Sequence, residues 1–183
     1  MKSFKYKLAI VFPFLTAFFA TSLSNASSLD LNFHDDTTRL SYNSYTARDV
    51  VTDGGILFVS NNNSSEQLFH LGISKISKNV GFGIRGIYTS PGSIDLAAIS
   101  LAVNARFYLS AKTHLEIGGY HAPEFTSFMD AAGYTEIGFR LSFNITEPLD
   151  IYIGYRNLKL KVENANNKIE MDDDFHLGLK FHF

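Results

Sequence analysis

Apolar and polar side chains alternate with a period of two over most of the chain after residue 50. Residues 98–109, 136–145 and 175–183 show this pattern most clearly, with apolar side chains at every second position. Successive residues of a β-strand point to opposite faces, so the pattern places the apolar side chains on one face of each strand. The same region has no helical periodicity, and the pattern therefore predicts an all-β fold.

Composition excludes several other classes of protein. The chain has 183 residues, 45% of them hydrophobic, no Cys and a formal net charge of −2. This hydrophobic content is too high for a disordered chain, and the lack of Cys excludes disulfides and thiolate metal sites. The small net charge does not indicate nucleic-acid binding. The one long apolar run, at residues 8–20, is shorter than the roughly 20 residues of a membrane-spanning helix.

The N-terminus has the three parts of a secretory signal peptide. Three lysines within the first seven residues precede the apolar run at 8–20, and small side chains stand at Ser24 and Ala26. We predict a signal peptide at residues 1–26 with cleavage after Ala26, which leaves residues 27–183 as the mature domain.

The second face of the strands decides between two architectures. It is rich in glycine and carries charges of both signs, as expected if acids and bases pair inside a narrow barrel. The charged residues of this face are Arg85, Arg106, Glu116, Glu136, Arg140, Asp150, Arg156 and Lys180. We predict that they form a charge network in the lumen of a closed antiparallel transmembrane β-barrel whose apolar face meets lipid. A soluble β-sandwich or lipocalin-like binder is the alternative.

Short and long connections alternate along the chain, as in outer-membrane barrels, which have short periplasmic turns and longer extracellular loops. The pattern gives eight strands, at about 52–60, 67–77, 80–89, 97–109, 113–121, 133–145, 149–162 and 174–183. A change of apolar parity after Tyr155 predicts a bulge near Asn157. Residues 27–51 form either a further hairpin, which would make ten strands, or a polar arm, and both possibilities stay open.

The predicted strand count bears on function. A barrel of eight strands is just wide enough for side chains to fill, whereas ten strands leave more room. We therefore expect a non-enzymatic protein with a structural or surface-contact role in the cell envelope, without metal or cofactor and monomeric. A narrow porin-like channel for small solutes is the alternative. A lipid hydrolase at the barrel rim, using Ser127, His121 and Glu124, is the third hypothesis.

Aromatic side chains predict contacts outside the lumen. Phe125, Phe128 and Met129 make the third long loop the most apolar one, which indicates surface contact with outer-membrane lipid, lipopolysaccharide or another protein. Five tyrosines near predicted strand ends are typical of interface girdles. These are Tyr88, Tyr108, Tyr120, Tyr134 and Tyr155.

The C-terminal strand and several internal segments resemble one known family. Apolar residues alternate up to a terminal aromatic residue, which looks like the signal that outer-membrane assembly machinery recognises. The residues concerned are Phe175, Leu177, Leu179, Phe181 and Phe183. Together with Gly-Tyr-His-Ala-Pro-Glu at 119–124 and Gly-Tyr-Arg at 154–156, this strand resembles the YfaZ-type outer-membrane proteins. The resemblance implies a small outer-membrane barrel of a Gram-negative-type bacterium, with assembly machinery and periplasmic chaperones as partners.

Overall fold

Ten antiparallel strands form a closed ring in the computed structural model, which describes residues 27–61, 64–163 and 168–183. The strands are β1 Ser27–Phe33, β2 Thr37–Ala47, β3 Val50–Asn61, β4 Ser64–Ser77, β5 Val80–Thr89, β6 Leu96–Tyr108, β7 Thr113–Ala122, β8 Ser127–Met129, β9 Ala131–Thr146, β10 Leu149–Val162 and β11 Lys168–His182. The short β8 lies outside the ring and pairs with the start of β6. Within the described ranges, no helix is long and apolar enough to cross a membrane. The predicted signal peptide and Ala26 lie outside these ranges.

Two pairs of neighbouring strands in the ring are not consecutive in the chain. Strand β1 pairs with β11, so that Ser28 lies opposite His182, and β7 pairs with β9 across the excursion that contains β8. All other neighbours in the ring follow one another in the chain. The prediction of eight strands is wrong, and the ten-strand alternative is confirmed. Residues 27–51 supply the missing hairpin, because Leu29 and Leu31 pair with Tyr42 and Leu40.

The two ends of the barrel differ in their connections. Turns of two to four residues join β2 to β3, β4 to β5, β6 to β7 and β9 to β10, and Ser27 and Phe183 lie at this end, which we call the turn end. The opposite end, here the loop end, carries the remaining connections, including the 3₁₀ turn Glu124–Thr126 and β8. Because outer-membrane barrels keep their short turns in the periplasm, we expect the turn end to face the periplasm.

The outer surface of the ring is apolar. Large side chains such as Phe82, Leu141 and Leu177 are exposed there, with no second layer of described residues packed over them. This arrangement excludes the soluble sandwich, in which the apolar face would be buried against another sheet. The residues proposed as an assembly signal belong to the same surface: Phe175, Leu177, Phe181 and Phe183 are exposed, and Leu179 is half-buried.

Strand β10 keeps one parity throughout, so the predicted bulge near Asn157 is wrong. Leu158 and Leu160 point into the barrel together with Arg156. The irregularity lies on β11 instead, where Leu158 pairs with Asp172 and the next residue of β10 pairs with Glu170. The apolar residues of β10 therefore change sides because the interior itself becomes apolar toward the loop end.

Candidate functional site

The interior of the barrel has three layers between the loop end and the turn end. We call them the apolar seal, the deep ion cluster and the mouth ion cluster. The deep ion cluster consists of Arg39, Asp53, Arg85, Glu136, Arg156 and Asp172, and the mouth ion cluster consists of Asp30, Arg106, Glu116, Arg140, Asp150 and Lys180. Each cluster contains three acids and three bases, drawn from at least five strands.

Glu136 on β9 is the centre of the deep ion cluster. Its carboxylate accepts two hydrogen bonds from the Arg39 guanidinium, at 2.5 and 3.1 Å, and lies 3.6 Å from a nitrogen of Arg85. The Tyr134 hydroxyl donates a further hydrogen bond to it. Arg39 lies on β2, across the lumen from β9, so this contact spans the barrel. The side chain of Glu136 is only 6% exposed, and a charge buried to this degree requires such partners.

Arg85 connects Glu136 to a second carboxylate and to a ring. It donates a hydrogen bond of 2.8 Å to Asp53, and its guanidinium lies 3.6 Å from the centre of the Tyr120 ring. Arg156 forms the remaining ion pair of the deep cluster, with Asp172. Every charged group of this layer is buried and has at least one partner of opposite sign.

The mouth ion cluster is organised around Glu116 on β7. Arg106 and Arg140 both donate hydrogen bonds to its carboxylate, and Arg140 also donates to Asp30 at 2.5 Å. The Tyr152 hydroxyl donates to Asp30 as well, and its ring occupies the space that a Cβ on Gly178 would need. The side chains of Arg106 and Arg140 are 35% and 26% exposed, so water reaches this layer.

The apolar seal lies on the loop-end side of the deep ion cluster. Its members come from the loop-end halves of eight strands. They are Leu57, Val59, Leu68, Ile87, Leu96, Ala98, Ala122, Ala131, Tyr134, Leu158, Leu160, Val162 and Met171. The five leucines of this set are fully buried. The seal thus forms a small hydrophobic core inside the barrel.

A cavity of about 1170 Å³ extends from the turn end into the barrel. Its wall begins at Lys78, Asn79 and Pro148 in the turns and ends at the deep ion cluster. The exposure of the lining side chains therefore falls from the turn end inward, from 35% at Arg106 to 6% at Glu136. This gradient is the main structural feature of the candidate site.

The eight charged residues predicted for the lumen all lie on the inner face. Seven line the cavity, and Asp150 is buried beside it, 2.9 Å from His182. Sequence reasoning missed four further members of the two clusters: Asp30, Arg39, Asp53 and Asp172. Asp30 and Arg39 each follow the alternation of β1 and β2, which was a usable signal, whereas Asp172 stands in an acidic run typical of a solvated loop.

Two of the tyrosines assigned to an interface girdle lie inside the barrel instead. Tyr134 is fully buried and bonded to Glu136, and Tyr120 packs under Arg85. Tyr88 and Tyr108 are exposed near strand ends, as expected for a girdle, whereas Tyr155 is half-buried near the middle of β10. The two inner tyrosines have polar partners because the lumen at their level is charged.

The loop predicted to make surface contacts is exposed. Phe125 is 84% exposed, and Phe128 and Met129, which pair with Ala97 and Leu96 of β6, are also exposed. In the same region His121 contacts the Thr135 hydroxyl at 3.2 Å, while Ser127 donates to the Pro123 carbonyl.

No group of three or more potential metal-binding side chains occurs among residues 27–61, 64–163 and 168–183.

The closed ring, the apolar outer surface and the charged interior define an outer-membrane β-barrel of a Gram-negative-type bacterium. A family described as YfaZ precursor matches residues 4–183. The chain belongs to the YfaZ family, and the match includes most of the predicted signal peptide. No curated protein matched the sequence.

Solved structures of outer-membrane proteins are similar in fold. The outer-membrane protease OmpT from Escherichia coli is 8% identical, with a TM-score of 0.54 over 87% of this chain and 93% of its own. The NanC porin is 13% identical, with a TM-score of 0.45 over 86% of this chain and 99% of its own. The channel DcaP of Acinetobacter baumannii is 11% identical, with a TM-score of 0.44 over 88% of this chain, which spans 60% of the length of DcaP. At these identities the likeness concerns the fold alone.

Proposed function

We propose that this protein is a non-conducting outer-membrane barrel with a structural and surface-contact role in the cell envelope. The observation that carries the proposal is the apolar seal, which fills the loop-end half of the lumen. A pore needs a continuous polar path, and the described interior offers one only from the turn end to the deep ion cluster.

An ion moving through the barrel would meet two barriers in succession. At the deep ion cluster it would have to displace charges that already pair across the lumen, such as Arg39 and Glu136. Beyond them it would enter a layer that contains Leu57, Leu68 and Leu158, all fully buried. Moving a charge into such an apolar layer without a partner is strongly unfavourable. The ion pairs and the seal therefore support a closed barrel.

The exposed loop supports the surface-contact part of the proposal. Phe125, Phe128 and Met129 present apolar side chains at the loop end, next to the lipid-facing surface of β6. Side chains of this kind gain free energy when lipid or another apolar surface covers them. Outer-leaflet lipid, including lipopolysaccharide, is the partner we propose for this loop.

A narrow channel for small solutes is the second candidate, and the cavity favours it. A volume of about 1170 Å³ lined by charged and polar groups already crosses the turn-end half of the barrel. Rearrangement of the seal would then be needed to complete the path.

Conductance in planar bilayers distinguishes the two candidates. We expect no steady single-channel steps from the wild-type protein, because the seal closes the loop-end half. The double variant Leu158→Ala and Leu160→Ala should conduct intermittently, since it removes two fully buried side chains from the seal. Ile151→Ala with Ile153→Ala is the matched control on the outer face of the same strand and should stay silent. Steady steps from the wild type would contradict the proposal and favour the channel.

A further inference from the structure

We propose that the mouth ion cluster binds a small water-soluble anion bearing a phosphate or carboxylate group, which enters from the turn end. This inference goes beyond the envelope role, because it assigns a ligand to the cavity. It depends on the charges around Glu116, on the hydrogen-bond donors that these charges leave unused, and on the way the cavity opens.

Three cations surround Glu116. Arg106 and Arg140 bond to its carboxylate, and Lys180 interacts with it over a longer distance. The two other acids of the mouth ion cluster already have partners. Asp30 accepts hydrogen bonds from Arg140 and Tyr152, and Asp150 is bonded to Asn144 and His182.

Lys180 is the one cation of the mouth ion cluster that none of these pairings includes. Within the described part of the chain it forms no ion pair, although it faces the cavity. A charged ammonium group in this position gains by meeting an anion, because the surrounding protein is less polarisable than bulk water. Lys180 is therefore available to pair with the anionic group of a ligand.

Arg140 retains a guanidinium donor that the mouth ion cluster does not use. Arg106 uses Nε and Nη2 for Glu116, while Arg140 uses Nε for Glu116 and Nη1 for Asp30. Nη2 of Arg140 makes no hydrogen bond to the described residues. Guanidinium groups suit the oxygens of phosphate and carboxylate, which accept several hydrogen bonds at once.

The shape of the barrel makes this a binding site open at one end. The closed ring of strands keeps lipid out of the lumen, and the cavity reaches the aqueous phase at the turn end. The deep ion cluster and the seal close the other side. A solute of suitable size can therefore enter and leave by the turn end but does not cross.

Titration with inorganic phosphate tests the proposal. The folded mature protein would be studied in maltoside micelles at low salt, where weak charge interactions are least screened. We expect phosphate to shift the NMR signals of the Nε–H groups of Arg106 and Arg140. Lys180→Met should raise the Kd about fivefold, the scale of one charge contact in a partly hydrated site. Lys112→Met removes the same charge from an exposed turn outside the cavity and should leave the Kd unchanged.

Each outcome decides the matter. A higher Kd for Lys180→Met than for Lys112→Met supports the site. No shift with phosphate in the wild type, or equal effects of the two variants, overturns it. If Lys180→Met loses the heat-modifiable folded form, Arg106→Gln takes its place with the same expected result. Micelles containing phosphatidylglycerol instead of free phosphate test the other source of this chemistry, and shifts with that lipid alone would overturn uptake of a soluble anion.

Discussion

Replacing Glu136 by Gln should destabilise the barrel by about 3–5 kcal/mol, the cost of leaving a buried charge without its partner. The carboxylate holds Arg39 through two hydrogen bonds, lies near Arg85, and accepts a hydrogen bond from Tyr134. A neutral amide leaves Arg39 without an opposite charge, while Arg85 keeps Asp53. Urea unfolding of the refolded protein in detergent or lipid, followed by the heat-modifiable shift in gel mobility, measures the change.

Glu170→Gln provides the control for this prediction. The substitution is chemically identical, but Glu170 pairs with Lys159 on the exposed loop-end surface, at 2.9 Å. An exposed pair of this kind contributes about 0–1 kcal/mol. Combining Glu136→Gln with Arg39→Gln should recover part of the loss, since the double variant removes the unpaired charge as well. If Glu136→Gln unfolds within 1 kcal/mol or so of the wild type, water rather than Glu136 satisfies these arginines.

Replacing Leu141 by Arg should cost about 2–4 kcal/mol if its surroundings are the middle of the bilayer. Leu141 lies on the outer face of β9, between the apolar side chains of Leu115 and Ile153 on the neighbouring strands. A guanidinium placed there would have to leave water or distort the lipid around it. Unfolding by urea in phosphatidylcholine vesicles gives the free energy directly.

A control for Leu141→Arg must separate the effect of depth in the membrane from the effect of the arginine itself. Leu109→Arg makes the same chemical change on an exposed side chain in the turn after β6, at the turn end. Near the interface the expected cost is about 0–1 kcal/mol. Equal costs at the two positions would mean that the outer face of β9 does not meet hydrocarbon.

Strand faces could be predicted from the sequence because a period of two has a direct structural meaning. The alternation in β6, β9 and β11 identified which side chains face outward, and the short turns identified the end at which Phe183 lies. The number of strands was harder to predict from the sequence. Strand β1 has seven residues and is followed by a polar turn at Asp35 and Asp36, so its hairpin resembles a polar arm until its pairing with β11 is known.

The seal could not be predicted for a different reason. Alternation separates apolar from polar side chains, but it does not say which apolar side chains meet lipid and which meet one another. Leu158 and Leu160 therefore gave the impression of a register change, although β10 keeps a constant parity. The direction of these leucines depends on residues of other strands, such as Leu57 and Leu96, which share their level in the lumen.

The membership of the charge network was predictable, but its pairing was not. The positions of Arg85, Glu136 and Arg156 in the alternating pattern were enough to place them on the inner face. The partner of Glu136 is Arg39, which is 97 residues away and lies on the opposite wall of the barrel. Contacts across a lumen depend on the diameter and stagger of the ring, and neither quantity is contained in a local pattern.

Closure between β1 and β11 has a consequence for how the chain reaches its native state. The hydrogen bonds between Ser27 and Phe183 join the first strand of the ring to the last residue of the chain, so they form only after the last strand is present. Proteins dominated by such long-range pairings fold slowly. Until closure, the first and last strands both expose unbonded backbone groups beside an apolar surface, which are the conditions that favour aggregation. We therefore expect this chain to be most prone to aggregation after export and before β1 pairs with β11.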